Sequence, residues 1–450
     1  MLFFRIIIVM ADMLTQIPIF LGDFLADGWE TFSSCTVGEW FYYLFPFFIF
    51  AEMPRYMIPA IIVPFLNFFS HHKAREETPR EMFLRSRPLV SIIVPARNEE
   101  KAIVATILSL LETNYENKQI VVVDDGSTDR TYELAKPFAE AGKIELLKSG
   151  TETGRGGKAF AMNLALAVCR GDFIMQVDAD TSFDRDVIEE MLGPFVHSKI
   201  GAVTGNIKVR NAGASLVTKF QMCEYLLSIT LWRNWASRIG LLMQMAGGLS
   251  MFRREVINDI GGWDSELVED ADIGMKVRKL GLKMHFVKEA VAFTNVPETM
   301  GGLLNQRCRW ERGFFRTFFR KHIDVMIPWR FSFSNFLELM FQFIFTVICP
   351  YLYYAYMLAL IAFKPELLPF FIVFSYILYV VFFALLLVAA VSVSERRRQE
   401  WPYLIFVFML PIFNEILRFC RAVWYILELF RLGYEDPHLP RKTWDHAPRW

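Results

Sequence analysis

Apolar residues are distributed unevenly along this chain. They gather in long runs at the two ends and alternate with polar residues between about positions 71 and 330. A spanning helix needs about 20 mostly apolar residues, a length met by residues 2 to 22, 37 to 69, 335 to 363, 367 to 393 and 402 to 430. The central stretch reads differently. Leu89-Val90-Ser91-Ile92-Ile93-Val94, Gln119-Ile120-Val121-Val122-Val123 and Phe173-Ile174-Met175-Gln176-Val177 are short apolar runs of the kind that fill buried parallel strands. Helical periodicity follows the first two, over residues 102 to 113 and 128 to 139, with Ser127 placed to cap the second. Strand then helix, repeated, predicts an α/β domain whose ligand crevice lies at the carboxyl ends of its strands.

Composition fixes the broad class. With 54% hydrophobic residues, 44 Phe in 450 positions and a mean hydropathy of +0.30, the chain is too apolar for a set of soluble domains and reads as a polytopic membrane protein. Lys+Arg 48 against Asp+Glu 48 leaves no net field, which removes the global argument for nucleic-acid binding and requires local basic sites for any anion. The six cysteines are scattered without a CxxC pair or a His at metal spacing, so neither a zinc site nor a disulfide framework is indicated. Arg5 opens the first apolar run, but Asp12 interrupts it and no small-residue cleavage site follows, so it reads as a retained helix.

Charge around the apolar runs orients them. Asp23, Asp27 and Glu30 lie between the first two, whereas His71-His72-Lys73-Ala74-Arg75 follows the second and Arg396-Arg397-Arg398 the fourth; positive-inside bias therefore puts the central domain in the cytosol. Glu52 and Arg55, three apart, read as a structural ion pair on one helix face. The fifth run carries Arg418 and Arg421 and leads into a basic tail, which one clean span would place outside against the charge rule. A bent or interfacial segment after Pro411 is the alternative, and the sequence leaves both open.

Candidate chemistry clusters at the predicted strand ends. Asp124-Asp125 precedes Gly126 and could accept the N–H of a uracil, although an acid at a strand end is as often a helix cap. Pro95, Arg97 and Glu99 end the preceding strand in the same layer and would wall that base. Gly154-Arg155-Gly156-Gly157-Lys158 could bring backbone amides and Lys158 to phosphates, or be a plain turn; Ala159 after the lysine excludes a Walker loop. Asp178-Ala179-Asp180 offers hard oxygen ligands to Mg2+ or Mn2+, which usually keep waters and substrate phosphates and need only one or two carboxylates. The pattern alone is frequent by chance; acids at successive strand ends converging on one crevice strengthen it. Glu269-Asp270 opens a helix running to about residue 280, either as a dipole partner or with Asp270 as a general base oriented by Glu269. In Gln306-Arg307-Cys308-Arg309-Trp310, two arginines could grip a diphosphate through forked hydrogen bonds while the indole packs on a sugar ring; snorkelling arginines on an interfacial helix are the other reading.

In this order the motifs resemble the processive, membrane-bound glycosyltransferases of family 2, among them cellulose, chitin, hyaluronan and poly-N-acetylglucosamine synthases. The resemblance is close over roughly residues 88 to 320. Within the group, Gly201-Ala202-Val203-Thr204-Gly205-Asn206, Phe252-Arg253-Arg254, Pro297-Glu298-Thr299 and the Gln306 to Trp310 motif look most like poly-N-acetylglucosamine synthases. The resemblance implies a cytosolic GT-A domain inserted between transmembrane helices of the plasma membrane. Its implied activity is inverting transfer from a UDP-sugar, N-acetylglucosamine ahead of glucose, onto a growing polysaccharide extruded through the bilayer lipid. A non-processive transferase acting on a lipid acceptor is the alternative. By the same likeness Asp125 matches the uracil-binding acid, Asp180 the metal ligand with Asp178 beside it, and Asp270 the base. Val268 replaces the usual Thr of that last motif, and Gln306, Arg307, Arg309 and Trp310 match the motif of processive synthases. The implied division is two N-terminal membrane helices in 1–70, the catalytic domain in 71–300, interfacial helices in 301–332, about three membrane helices in 333–430 and a basic tail in 431–450. No regulatory PilZ-like extension is recognisable after residue 430, and accessory export subunits are compatible with the scheme though no residue names them.

Overall fold

The computed structural model describes residues 22–24, 26–36, 38–39, 53–70, 79–149 and 156–430. The first apolar run, Glu52 and the Arg55 side chain, the His71 to Arg75 stretch, Gly154-Arg155 and the basic tail lie outside the described residues.

The eight strands β1 (Val90–Ala96), β2 (Lys118–Asp124), β3 (Glu145–Lys148), β4 (Phe173–Val177), β5 (Ser182–Phe183), β6 (Ile200–Val209), β7 (Leu249–Arg253) and β8 (Lys283–Thr294) form one sheet in the order β3-β2-β1-β4-β7-β6-β8-β5. β1 to β4 run parallel; β7 runs antiparallel to both β4 and β6, and β8 returns parallel to β6. Val90, Ile92, Ile93, Val94, Val121, Val122 and Val123 are completely buried, because the crossover helices leave neither face of the parallel half to solvent; that is why these strands read as unbroken apolar runs. The first crossover helix is Ile103–Leu111 and the second Thr131–Glu140. The second starts later than its periodicity suggests, and Ser127 does not cap it. The Ser127 hydroxyl instead accepts from the Asn98 N–H (3.0 Å), and the Asp129 carboxylate takes the N–H groups of Thr131 (3.0 Å) and Glu100 (3.1 Å), so two adjoining strand-end loops are stitched to each other.

Register then sets the crevice. Ala96 of β1 lies opposite Asp124 of β2, and β4 ends at Val177 on the same edge, opposite Leu249, where antiparallel β7 begins. Residues 97–100, 125–129, 178–180 and 241–248 therefore emerge together.

Three helical stretches among the described residues, Phe333–Phe363, Pro365–Val393 and Arg397–Leu429, are long and apolar enough to cross a membrane. They present Leu358, Phe363, Val373, Ile377, Val381 and Leu385 outward, a continuous apolar surface that water does not tolerate and lipid does. Trp29 and Phe32 pack on Phe370 beside the Pro365–Leu367 turn. At the opposite end the bundle is bolted to the sheet: Lys208 of β6 pairs with Glu400 (2.6 Å, both buried) and Arg396 with Asp184 (2.6 Å). The last stretch also touches the sheet domain further along, where Phe413 stacks on Phe220 (4.2 Å) and Glu428 accepts from Arg312 (3.0 Å). Contacts at 400, 413 and 428 thus tie this stretch to the sheet domain along its length.

Candidate active site

Gly247-Gly248, just before β7, forms the floor of the crevice. A Cβ at Gly247 would lie 3.5 Å from both Asp270 Oδ2 and Lys158 Nζ and 3.8 Å from Glu269 Oε1; one at Gly248 would lie 3.0 Å from Asp178 Oδ2. Four charged side chains from three different elements thus surround a strip of backbone that carries no side chain of its own. The floor is fixed from below: Gln176 Nε2 donates to the Gly247 carbonyl (3.0 Å), and Gln176 Oε1 accepts from Trp263 Nε1 (2.9 Å). Asp270 lies in the first turn of the Glu269–Lys279 helix, where its carboxylate accepts the N–H of Ala271 (2.8 Å) and that of Gly247 (3.1 Å). Lys158 Nζ bridges Asp178 Oδ1 and Glu269 Oε1, each at 2.7 Å. Ala179, between the two acids of its motif, is held by the Thr106 hydroxyl on its carbonyl (2.7 Å).

Asp125 is bound up with the glycine loop. Its Oδ1 accepts from Ser149 Oγ (2.9 Å) and the Gly156 N–H (2.8 Å), and its Oδ2 from the Gly157 N–H (2.9 Å), so about three of its four acceptor positions are used to hold the glycine loop. The unpartnered buried atoms at this edge are Asp124 Oδ2 and Arg97 Nε. The two arginines of the Gln306 to Trp310 motif have different surroundings. Helix Met300–Arg316 carries Arg307 and Arg309, and residues two apart on a helix point roughly 200° apart. Arg307 pairs with Glu224 (2.6 Å) and stacks over Trp310 (4.4 Å), whereas Arg309 forms no ion pair with any described residue. Of the two guanidiniums, Arg307 is thus held by Glu224 and Trp310 on one flank of the helix.

Residues 91–261 match the model of the family described as Glycosyl transferase family 2. The chain carries a family 2 glycosyl transferase domain. Glu269-Asp270 and the Gln306 to Trp310 motif lie beyond the matched stretch. Poly-beta-1,6-N-acetyl-D-glucosamine synthase of Staphylococcus aureus (strain COL) is 31% identical over 270 residues, 60% of this chain and 64% of the relative. The like-named Staphylococcus epidermidis protein is 31% identical over 226 residues, 50% of this chain and 54% of the relative. The chain thus spans somewhat under two thirds of the curated relatives it matches. Among solved structures, mannosyltransferase PcManGT from Pyrobaculum calidifontis, in complex with GDP-Man and Mn2+, superposes with a TM-score of 0.57 at 19% identity, covering 84% of this chain and 96% of that one. At that identity the likeness concerns the fold, the GT-A arrangement that the sequence led us to expect.

The electrostatics of the glycosyl transferase domain concentrate in the same crevice. Burial, then the charge of Glu269, pushes Asp270 up to about 6 while Lys158 and Arg233 pull it down. Burial works against the Lys158 charge, but Asp178 and Glu269 outweigh it and hold the ammonium well above its ordinary value. Burial and the charges of Asp180, Asp178 and Asp129 push Glu99 up to about 7, and burial and Asp178 raise Asp180. Glu99 and Asp180 thus crowd Asp178, whose own charge Lys158 meets at 2.7 Å. Burial pushes the Tyr225 hydroxyl up to about 12, and its neighbour Glu224 pairs with Arg307 of the Gln306 to Trp310 motif. Glu224, Tyr225 and Arg233 escaped the sequence reading. Their signal was faint: two isolated charges, Glu224 and Arg233, in an otherwise apolar run.

Proposed function

We propose that this protein is a membrane-embedded inverting glycosyltransferase that moves a sugar, N-acetylglucosamine by preference, from a UDP-sugar to the terminal hydroxyl of a growing β-linked polysaccharide, and does so processively. The observation that carries the reading is the convergence of Asp270, Lys158, Asp178 and Glu269 on the bare backbone of Gly247-Gly248. A sugar ring can approach there as closely as backbone allows. Asp270 takes the proton of the acceptor hydroxyl as that oxygen bonds to the anomeric carbon and the bond to the diphosphate breaks, releasing UDP. Its carboxylate is kept in place by two backbone N–H groups, so the proton is accepted at a fixed point. Glu269, tied to Lys158, holds the lysine beside the phosphate side of the crevice.

The crowding of Glu99, Asp178 and Asp180 suits a divalent cation of the Mg2+ or Mn2+ type, with Asp180 as ligand and Asp178 alongside. Such an ion is completed by phosphate oxygens and water and needs only one or two carboxylates. When bound, it would neutralise the diphosphate as the glycosidic bond to it breaks. Pro95, Arg97, Glu99 and Asp125 would frame the nucleoside, and Gln306, Arg309 and Trp310 the acceptor or departing diphosphate. The catalytic domain would face the cytosol, with the apolar helices in the plasma membrane.

Purified protein in detergent, given UDP-N-acetylglucosamine and Mg2+, should yield long polymer, and Asp270→Asn should abolish it. Products of one or two sugars that require added lipid would replace this reading with single transfer to a lipid acceptor.

A further inference from the structure

The helix Glu269–Lys279 lays one stripe of residues, Asp270, Gly274 and Arg278, along the segment that leads into the crevice floor. Residues 241–246 form neither helix nor strand, yet Leu242, Met243, Met245 and Ala246 are almost wholly buried. Each position of the stripe meets this segment in turn. The Asp270 carboxylate accepts the Gly247 N–H (3.1 Å). At Gly274 a Cβ would lie 2.5 Å from the Met243 carbonyl oxygen, so the bare glycine is what lets backbone reach helix. Arg278 Nη1 donates to the Gly240 carbonyl (2.6 Å) and, at longer range, to that of Leu242 (3.4 Å). Arg278 is itself buried and anchored from the far side. Its Nε donates to Asn335 Oδ1 (2.7 Å) and its Nη2 to Ser334 Oγ (3.3 Å), and Asn335 Nδ2 donates back to the Arg278 carbonyl (3.3 Å). Ser334 and Asn335 open the first of the long apolar stretches, Phe333–Phe363. A planar group with fixed donors thus grips two elements at once.

We infer that Arg278 is a positioning residue for the base: by holding the Gly240 and Leu242 carbonyls it keeps residues 240–247 seated on the helix, so that the Gly247 N–H stays on Asp270. The inference rests on the glycosyltransferase reading above and adds to it a residue that never touches substrate. Gly247 borders the space proposed for the sugar and also fixes the carboxylate oxygen, so sliding the segment along the helix displaces both. A misplacement of about 1 Å in such a site can cost about 100-fold in rate. A backbone N–H on a carboxylate favours its charged form, so a loosened segment raises the pH at which Asp270 begins to act. Glu269 and Lys158, which border the same glycine, and Arg233, whose charge also reaches Asp270, are left in place.

The test compares wild type with Arg278→Met, Arg278→Lys, Gly274→Ala and Val277→Ala. Val277 is completely buried on another face of the same helix, 3.2 Å from where a Cβ at Gly201 would lie, so its truncation weakens the helix packing without touching the segment. In Arg278→Met and Gly274→Ala, amide hydrogen exchange over residues 240–247 should quicken about fivefold or more. The midpoint of the kcat/KM pH profile should move up from about 6 by about half a unit. At the same time kcat should fall about tenfold, with calorimetric UDP affinity within about threefold of wild type. Arg278→Lys, which keeps a donor for the Gly240 carbonyl, should recover part of each change, and Val277→Ala should show none of them. Unmoved exchange and an unmoved pH midpoint in Arg278→Met and Gly274→Ala overturn the inference. An equal shift in Val277→Ala overturns it too, because general loosening would then suffice. If Arg278→Met does not fold, Gly274→Ala decides. Exchange that quickens as expected in a protein whose wild type transfers no sugar would instead sink the glycosyltransferase reading, while the seating of the segment stands.

Discussion

Asp270 is where the chemistry is most exposed to a single atom's change. Replacing it by Asn keeps the shape and removes the base, so transfer should fall about 100-fold or more, while UDP affinity measured by calorimetry stays near wild type. Because burial and Glu269 hold the group at about 6 and the unprotonated form is the active one, kcat/KM should rise with pH through about 6 and level off above it. A profile flat down to pH 4.5 would mean that some other group accepts the proton. Gly247→Ala puts a methyl 3.5 Å from both Asp270 Oδ2 and Lys158 Nζ, ordinary contact for the fold but space a sugar needs. It should therefore leave thermal stability nearly unchanged and raise KM for the donor severalfold. At this scale the acids were readable, since strand-end carboxylates announce themselves next to apolar runs. What Asp125 does with its oxygens was not, because a carboxylate's partners depend on where a loop 31 residues away closes.

The helix that carries the base is tied to the interfacial helix through a buried knot of charge. Asp272, almost wholly buried, accepts from His322 Nε2 (2.8 Å) and pairs with Lys321 (2.7 Å), and Lys321 also reaches Asp264 (2.7 Å) and Glu266 (3.0 Å). Burial opposes the Asp272 charge, but His322 and Lys321 outweigh it and lower its pKa. Its stabilisation is thus present above the unfolded-state value and lost as pH falls through the lower folded one. Asp272→Asn should cost about 3 kcal/mol by removing a buried carboxylate on which His322 and Lys321 both converge, seen as a lower unfolding temperature at neutral pH. The same loss at pH 3 and pH 7 would contradict that account. Among elements, β1, β2 and β4 were legible because both faces of the parallel half are covered, which writes an apolar run into the sequence. β6 to β8 were not. Buried Thr204 and Ser250 satisfy themselves on Leu249 and Ala246 carbonyls, so polar letters occupy core positions and the antiparallel half has no apolar signature. The π-helical winding of Leu226–Arg233 was equally invisible, since composition does not distinguish it from an ordinary turn of helix.

Over the whole molecule, the sheet domain and the apolar helices are joined by few but deeply buried links. Lys208–Glu400 is the deepest. Removing one partner, as in Lys208→Met, should destabilise by about 3 to 5 kcal/mol, whereas Lys208→Met with Glu400→Met should recover most of it, because the lone buried charge rather than the missing bond carries the cost. Thermal unfolding of the four proteins of that cycle measures the difference; equal losses in the single and double variants would show that the ion pair itself stabilises. The division into apolar ends and a mixed-polarity centre was plain from composition. The path of the last helix was not, because its length and hydropathy suit a crossing while Phe413 and Glu428 hold it against the sheet domain.

One helix has two jobs on opposite flanks. On Met300–Arg316, Arg307 takes Glu224 (2.6 Å), while Glu311 takes Arg421 (2.8 Å) and Tyr425 (2.6 Å), and Arg312 takes Glu428. A force that tilts the C-terminal helix is therefore felt by the helix that carries Gln306 to Trp310. Under the proposed function, bilayer thickness should therefore change the rate of sugar transfer, as vesicles of differing acyl-chain length would show.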